Sequence, residues 1–221
     1  MRRTLFHDRA DAGRQLAARL SEYANREDVL VLALPRGGVP VAFEVAQALH
    51  APLDVFVVRK LGVPGQEELA MGAVATGGAV LLNPEVVQYL DITDAELKGV
   101  IAAERQELER RNHLYRDDRP QPDVKGKTVI LVDDGLATGA SMRVACAALR
   151  QLGPARLVVA VPLAPAEACA EMRAEADEVV CAVTPEPFYG VGMWYEDFTQ
   201  TTDAQVRDLL ARAAAPQPAA A

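Results

Sequence analysis

Two periods of apolar spacing run through this chain and divide it into strands and helices. Between Asp8 and Tyr23, Ala12, Leu16, Ala17 and Leu20 recur at three- and four-residue intervals, which predicts an amphipathic helix. Val29 to Leu34 is a continuous β-type run, Val39 to Leu49 is helical, and Leu53 to Val58 reads as a second strand, closing a β-α-β unit. Arg59 to Gly62 and Val63 to Gln66 read as a loop, and Ala70 to Ala75 with Ala79 to Leu82 as a hairpin around Thr76-Gly77-Gly78. Asn83-Pro84 starts a short helix, and Asp94 to Tyr115 predicts a long one, acidic at its start with Arg110, Arg111 and Arg116 at its end, as the helix dipole favours. Arg119-Pro120-Gln121-Pro122 is a rigid connector. Beyond it come a strand ending in Val132, a helix Ser141 to Leu152, a strand Leu157 to Val161, a helix Ala166 to Ala176, a strand Glu178 to Val183, a Pro/Gly/aromatic loop Thr184 to Tyr195 and a helix Asp203 to Arg212.

Strands that alternate with helices predict an α/β architecture: a mainly parallel twisted sheet, Rossmann-like at its core, with helices on both faces. We expect one domain over residues 1–212, its core at 29–183, with a small hood built from the N-terminal helix and residues 184–212; the tail 213–221, rich in Ala and Pro, is expected to be disordered. The long helix is an insertion into this scheme.

Composition narrows the function classes. With 221 residues, half of them hydrophobic, the chain can build a substantial core, and its formal charge of −8 without a basic block argues against nucleic acid as a partner. No stretch is long and apolar enough to span a membrane and Met1-Arg2-Arg3-Thr4 precedes no apolar signal core, so a cytoplasmic protein is expected. Cys146, Cys169 and Cys181 match no zinc spacing and read as buried thiols in a reducing compartment. His7, His50 and His113 read as ordinary surface or helix residues.

The chemistry concentrates in Val129-Ile-Leu-Val-Asp-Asp-Gly-Leu-Ala-Thr-Gly-Ala-Ser141. A parallel strand delivers Asp133 and Asp134 to its C-terminal end, where ligands collect. The glycines that follow let backbone N–H groups approach an anion, a helix N-terminus adds its positive end, and Thr138 and Ser141 offer hydroxyl donors. Carboxylates beside a phosphate cradle need neutral hydroxyls or a divalent cation to face, which points to a phosphorylated polyol with magnesium. Leu34-Pro-Arg-Gly-Gly-Val39 repeats the strand-to-glycine-turn logic with a cation, Arg36, in place of acids, as a second phosphate cluster requires; a glycine turn with a solvated arginine is the alternative.

The first run resembles the phosphoribosyl pyrophosphate (PRPP) motif of the type I phosphoribosyltransferases. The resemblance implies that Asp133 and Asp134 hold the ribose hydroxyls and, directly or through water, Mg2+, while Gly135, Leu136, Ala137, Thr138, Gly139, Ala140 and Ser141 wrap the 5-phosphate. Arg36, Gly37 and Gly38 resemble the family's pyrophosphate loop, which implies a cis peptide at Pro35–Arg36, and Arg59-Lys60 resembles a pyrophosphate-contacting pair of the orotate and adenine enzymes. Asp133, Asp134, Arg36 and Lys60 are thus the expected catalytic set, Phe188 and Tyr189 the surfaces on which a flat acceptor would stack.

What the resemblance implies is a Mg-dependent transfer of the phosphoribosyl group of PRPP to a small nitrogenous acceptor, in nucleotide metabolism or salvage, by a protein that could be a homodimer. Departures limit the acceptor. Ala137 stands where the oxopurine enzymes place an acid, and the segment Leu157 to Pro165 has no lysine for a purine carbonyl. Residues 65–72, in the place of the family's mobile catalytic loop, carry no Lys or Arg; Glu67 and Glu68 there read as a solvated acidic turn or as contacts to metal or an amino group. Glu196 and Asp197 sit one residue out of register with the metal-associated acids of the hypoxanthine-guanine enzymes. Two rivals stay open: a non-catalytic sensor of PRPP or a nucleotide with the same fold, and a sugar-phosphate hydrolase, disfavoured because adjacent strand residues face opposite sides.

Overall fold

The computed structural model of the protein describes residues 5–116 and 119–215. Five parallel strands, β1 (Val29–Ala33), β2 (Leu53–Val55), β6 (Thr128–Val132), β7 (Arg156–Leu163) and β8 (Glu178–Val183), lie in the order β2-β1-β6-β7-β8. Central strands of such a sheet are covered on both faces, so their side chains are apolar without interruption and only their parity separates the two cores. Val29, Val31, Ile130, Val132, Val158 and Ala160 enter one core, shared with α1 (Arg9–Ala17), α2 (Gly38–Leu49), α4 (Asp94–Arg116) and α7 (Asp203–Ala214). Leu30, Leu32, Val129, Leu131, Leu157 and Val159 enter the other, with α5 (Ala140–Gln151) and α6 (Ala166–Met172). The register Ala33↔Val132 brings the C-terminal ends of β1 and β6 level, while β7, paired there at Ala160, runs on to Leu163, so the loops after β1 and β6 open side by side.

The α/β architecture expected from the sequence is therefore present, with three corrections. Arg59 to Val63 is not a loop but most of a strand, β3 (Val58–Val63), which pairs antiparallel with β4 (Gln66–Ala75) and, through it, β5 (Val80–Leu82) in a separate three-stranded sheet. Pro64-Gly65 is the two-residue turn between β3 and β4, with Gly65 at φ +76°, where a side chain would be strained. Polar residues on the exposed side of this hairpin hid its strand character, while Leu61, Val63 and Met71 are buried beneath it. In consequence β2 ends at Val55 rather than Val58, and the segment expected as a mobile catalytic loop lies in the hairpin.

The second correction concerns the cysteines. Cys169 of α6 and Cys181 of β8 form a disulfide, while Cys146 is a buried free thiol whose pKa burial pushes up to about 12. Cys169 is buried and Cys181 half-buried, and since they lie on different elements apolar periodicity could not register their approach. Third, α7 continues through Ala214, two residues into the segment expected to be disordered; residues 216–221 of that tail lie outside the described residues. No helix among the described residues is long and apolar enough to cross a membrane. The opening helix is shorter than predicted, giving way to a tighter turn at Ala18–Tyr23, and α3 (Pro84–Tyr89) is a short exposed helix capped by Asn83.

Phe6, Ala12, Leu163 and Tyr195 make a third, small core, joined by Phe188, Val191 and Trp194. It ties the N-terminal segment and α1 to the aromatic loop after β8, above the C-terminal end of β7. The α7 helix packs elsewhere, against α2, α4 and β2.

Candidate active site

Two glycine turns meet at one pair of acids. The chain leaves β1 at Leu34, whose N–H donates to the Val132 carbonyl (2.9 Å), and passes through a cis peptide at Pro35–Arg36 into Gly37 and Gly38. This is the cis bond that the sequence resemblance implied. A Cβ on Gly37 would fall 2.1 Å from Asp134 Oδ2, and one on Gly38 would fall 2.7 Å from the Val132 carbonyl oxygen and 3.2 Å from Asp133 Oδ1. Both positions are glycine because the second strand end and its carboxylates occupy the space a side chain would need.

The acids themselves divide. Asp133 Oδ1 accepts from the Asp134 N–H (2.8 Å), and Asp133 lines a cavity of 170 Å3 with Gly135, Thr138, Ser141 and the rest of the loop through Met142. Asp134 Oδ2 instead accepts from Arg9 Nε at 2.8 Å, and its backbone carbonyl accepts from the Tyr195 hydroxyl at 2.6 Å. Burial and the neighbouring negative charge of Asp134 push the Asp133 pKa well above the ordinary carboxylate range. Asp134 is raised less, since Arg9 opposes the effect of its burial. The Tyr195 hydroxyl is pushed up by burial and by the Asp134 charge, so it remains a donor.

Gly139 has φ +70° and caps α5 with no side chain of its own, the Ala140 N–H reaching Thr138 Oγ1 at a long 3.4 Å; α2 is likewise capped by a glycine, Gly37. Two helix starts of this kind are suited to anions. Beside the loop, Arg143 donates to the Thr138 carbonyl (2.9 Å) and pairs with Glu171 (3.0 Å).

Arg36 is half-exposed and its guanidinium lies 3.8 Å from Asp203, which accepts from the Tyr115 hydroxyl at 2.6 Å. Arg59 and Lys60 are engaged along the hairpin: Arg59 with Glu104 of α4 at 2.7 Å, and Lys60 with Glu68 at 3.5 Å. The aromatic loop bends at a cis Glu186–Pro187 bond. Phe188 is half-buried and lines a 630 Å3 cavity with Pro165, Glu167, Glu186 and Pro187, whereas Tyr189 projects into solvent. Among the described residues no cluster of three or more His, Cys, Asp or Glu could hold a metal by itself.

Sequence reasoning missed Arg9, Tyr195 and Arg143. For Arg9 a signal existed. It opens α1 immediately after the N-cap Asp8, at the positive end of the helix dipole, where a cation is disfavoured unless an anion holds it.

A parallel sheet with an acid pair and a glycine-rich helix start at one strand end, and a second glycine turn beside it, defines the class. Residues 5–193 match the phosphoribosyl transferase domain, and the chain belongs to the type I phosphoribosyltransferase family. It is 49% identical over 209 residues to a protein of Mycobacterium tuberculosis provisionally named a phosphoribosyl transferase, a match that covers 95% of this chain and 47% of that protein. The chain thus spans about half the length of these curated relatives. The bifunctional protein PyrR of Chloroflexus aurantiacus is 35% identical over 133 residues, covering 57% of this chain and 65% of PyrR. Among solved structures, TT1426 from Thermus thermophilus is 45% identical and superposes with a TM-score of 0.82, covering 95% of this chain and 99% of that one.

Proposed function

We propose that the chain transfers the 5-phosphoribosyl group of PRPP to a small nitrogenous acceptor and releases pyrophosphate, with Mg2+ as cofactor. The observation that carries this reading is the meeting of two anion-binding turns at one acid pair, with Gly37 against Asp134 and Gly38 against Asp133. A ligand phosphorylated at both ends of a polyol fits that arrangement; a singly phosphorylated sugar would leave one turn idle.

The roles follow from chemistry. Backbone amides of Gly135 to Gly139, with the Thr138 and Ser141 hydroxyls, hold the 5-phosphate at the start of α5. Asp133 accepts from a ribose hydroxyl and opposes the positive charge that develops on the sugar as the anomeric bond breaks. Arg36, on the cis-peptide turn, neutralises the departing pyrophosphate, and Lys60 joins it by exchanging Glu68 for the ligand. The acceptor ring enters between these groups and stacks on Phe188, and on Tyr189 if the exposed ring turns inward. The site's donor set suits Mg2+, which commonly binds one or two carboxylates and completes its shell with substrate oxygens and water. When bound there it would offset the pyrophosphate charge.

The sensing alternative draws on one observation: the hairpin that stands in place of the mobile loop carries Glu67 and Glu68, and Lys60 is already paired. Incubating the protein with Mg2+, PRPP and a panel of nitrogenous bases, and following pyrophosphate, separates the readings. Base-dependent release is expected. Tight PRPP binding without turnover would favour the sensor, and phosphate release from simple sugar phosphates would sink both. Arg36→Ala is expected to weaken pyrophosphate by about tenfold, the scale of a charge-assisted hydrogen bond, while ribose 5-phosphate affinity changes little. Equal losses for both ligands would place the pyrophosphate elsewhere.

A further inference from the structure

Arg9 is the least exposed cation at the site, with its side chain 11% accessible, and it belongs to no motif. Three contacts hold it. Its Nε donates to Asp134 Oδ2 at 2.8 Å, its Nη1 donates to the Thr199 carbonyl at 2.7 Å, and its guanidinium lies 3.9 Å over the Phe198 ring. Asp134, in turn, is wedged between Arg9 and the Gly37 backbone, while its neighbour Asp133 lines the phosphate-loop cavity. Arg9 therefore connects α1, the segment after the aromatic loop and the PRPP motif at a single carboxylate.

We infer that Arg9 is a positioning residue that acts through Asp134: it clamps the second acid against the Arg36 turn, leaving Asp133 as the acid presented to the ligand. This rests on the phosphoribosyltransferase reading and assigns the two acids unequal tasks within it. The geometry supplies the reason. A carboxylate without Arg9 would be free to rotate away from Gly37, and the pyrophosphate turn would lose the surface it rests on. It would also leave two adjacent carboxylates with no opposing side chain, so the pair would repel where the ribose must sit. Of the three contacts that offset the cost of placing a cation at the start of α1, Asp134 supplies the one opposing charge.

A double-mutant cycle tests the assignment, with Arg9→Ala, Asp134→Asn and the double variant compared by thermal midpoint and by calorimetric affinity for PRPP with Mg2+; Arg9→Lys is the conservative control. Each single substitution is expected to weaken PRPP on the order of tenfold, and the double to be no weaker than the worse single, because both remove the same contact. Arg9→Lys should recover part of the loss. Additive losses would mean that Arg9 touches the ligand independently, and midpoints that couple while PRPP affinity stays unchanged would mean a purely structural contact; either overturns the inference. If the wild-type chain binds no PRPP, the functional reading falls. With no ligand to present, coupled midpoints would then mark a structural contact alone, and the inference falls with the reading it rests on.

Discussion

At Gly37 a single methyl group decides whether the two halves of the site can meet. Its backbone is ordinary right-handed helix, φ −61°, so an alanine there meets no conformational penalty, and the whole cost is contact with Asp134 Oδ2 at 2.1 Å. The carboxylate cannot yield without breaking its bond to Arg9. Gly37→Ala is therefore expected to keep the fold, with a thermal midpoint shifted by a few degrees, yet to weaken PRPP about ten- to a hundredfold, the equivalent of about 1–3 kcal/mol of overpacking. Calorimetric titration with PRPP and Mg2+ checks it; undiminished affinity would show that Asp134 can move without consequence. At this scale the sequence was a good guide to what is local. Gly37, Gly38 and the Asp133–Asp134 pair announce themselves because a turn or a strand end dictates them within a few residues. Tyr195 does not, and Arg9 shows locally just a cation misplaced at a helix start, because their partner is 61 and 125 residues away and only the folded chain brings them to it.

The long helix α4 shows the same division among elements. Its extent was legible, Asp94 to Tyr115 expected against Asp94–Arg116 observed, because charges at its two ends match the helix dipole. Its purpose was not, since that lies in its last turn. Arg116 is buried, donating from Nε to Asp54 (2.8 Å), from Nη1 to Asn112 (2.8 Å) and from Nη2 to the Val55 carbonyl. Asn112 also accepts from Thr76, whose hydroxyl oxygen accepts from the Val57 N–H. The guanidinium thus joins α4 to the end of β2, and through Asn112 to Thr76 just past β4, where the chain crosses from the parallel sheet to the hairpin. That crossing was also where the strand assignment failed, because Val55 to Val58 is apolar throughout and nothing local marks a break. Removing one partner of a buried ion pair leaves the other desolvated, so Arg116→Ala should cost about 3–5 kcal/mol. A urea midpoint shift that, multiplied by an unchanged slope, comes to less than a quarter of that would mean that Asp54 finds water when the arginine is gone.

Across the whole molecule, the start of α7, the end of α4 and the cis-peptide turn after β1 converge on Asp203, Tyr115 and Arg36, residues from the C-terminal quarter, the middle and the N-terminal quarter of the chain. Tyr115 is 2% exposed, and burial followed by its hydrogen bond to Asp203 raises its pKa from 10 to about 12. A folded-state pKa above the unfolded value means that the native state prefers the protonated phenol. The contribution is present in full below pH 10, and is lost as pH rises through about 12, because the phenolate can no longer donate and repels the Asp203 carboxylate. Tyr115→Phe removes the donor without emptying the core. It should destabilise the protein by about 1.5 kcal/mol at neutral pH, as for a hydrogen bond to a charged group. Measured from denaturant midpoints along a pH series, the gap between wild type and variant should close between pH 10 and 12, since both proteins carry every other titrating group. A gap constant across that range would mean the hydroxyl contributes shape rather than a proton. Asp203 also faces Arg36, so Tyr115→Phe leaves that carboxylate with fewer donors and a stronger claim on the arginine. On the proposed assignment of Arg36 to pyrophosphate, that ligand would then compete harder for the arginine, which makes the same variant a reporter of how far the packing of α4 and α7 reaches into the site.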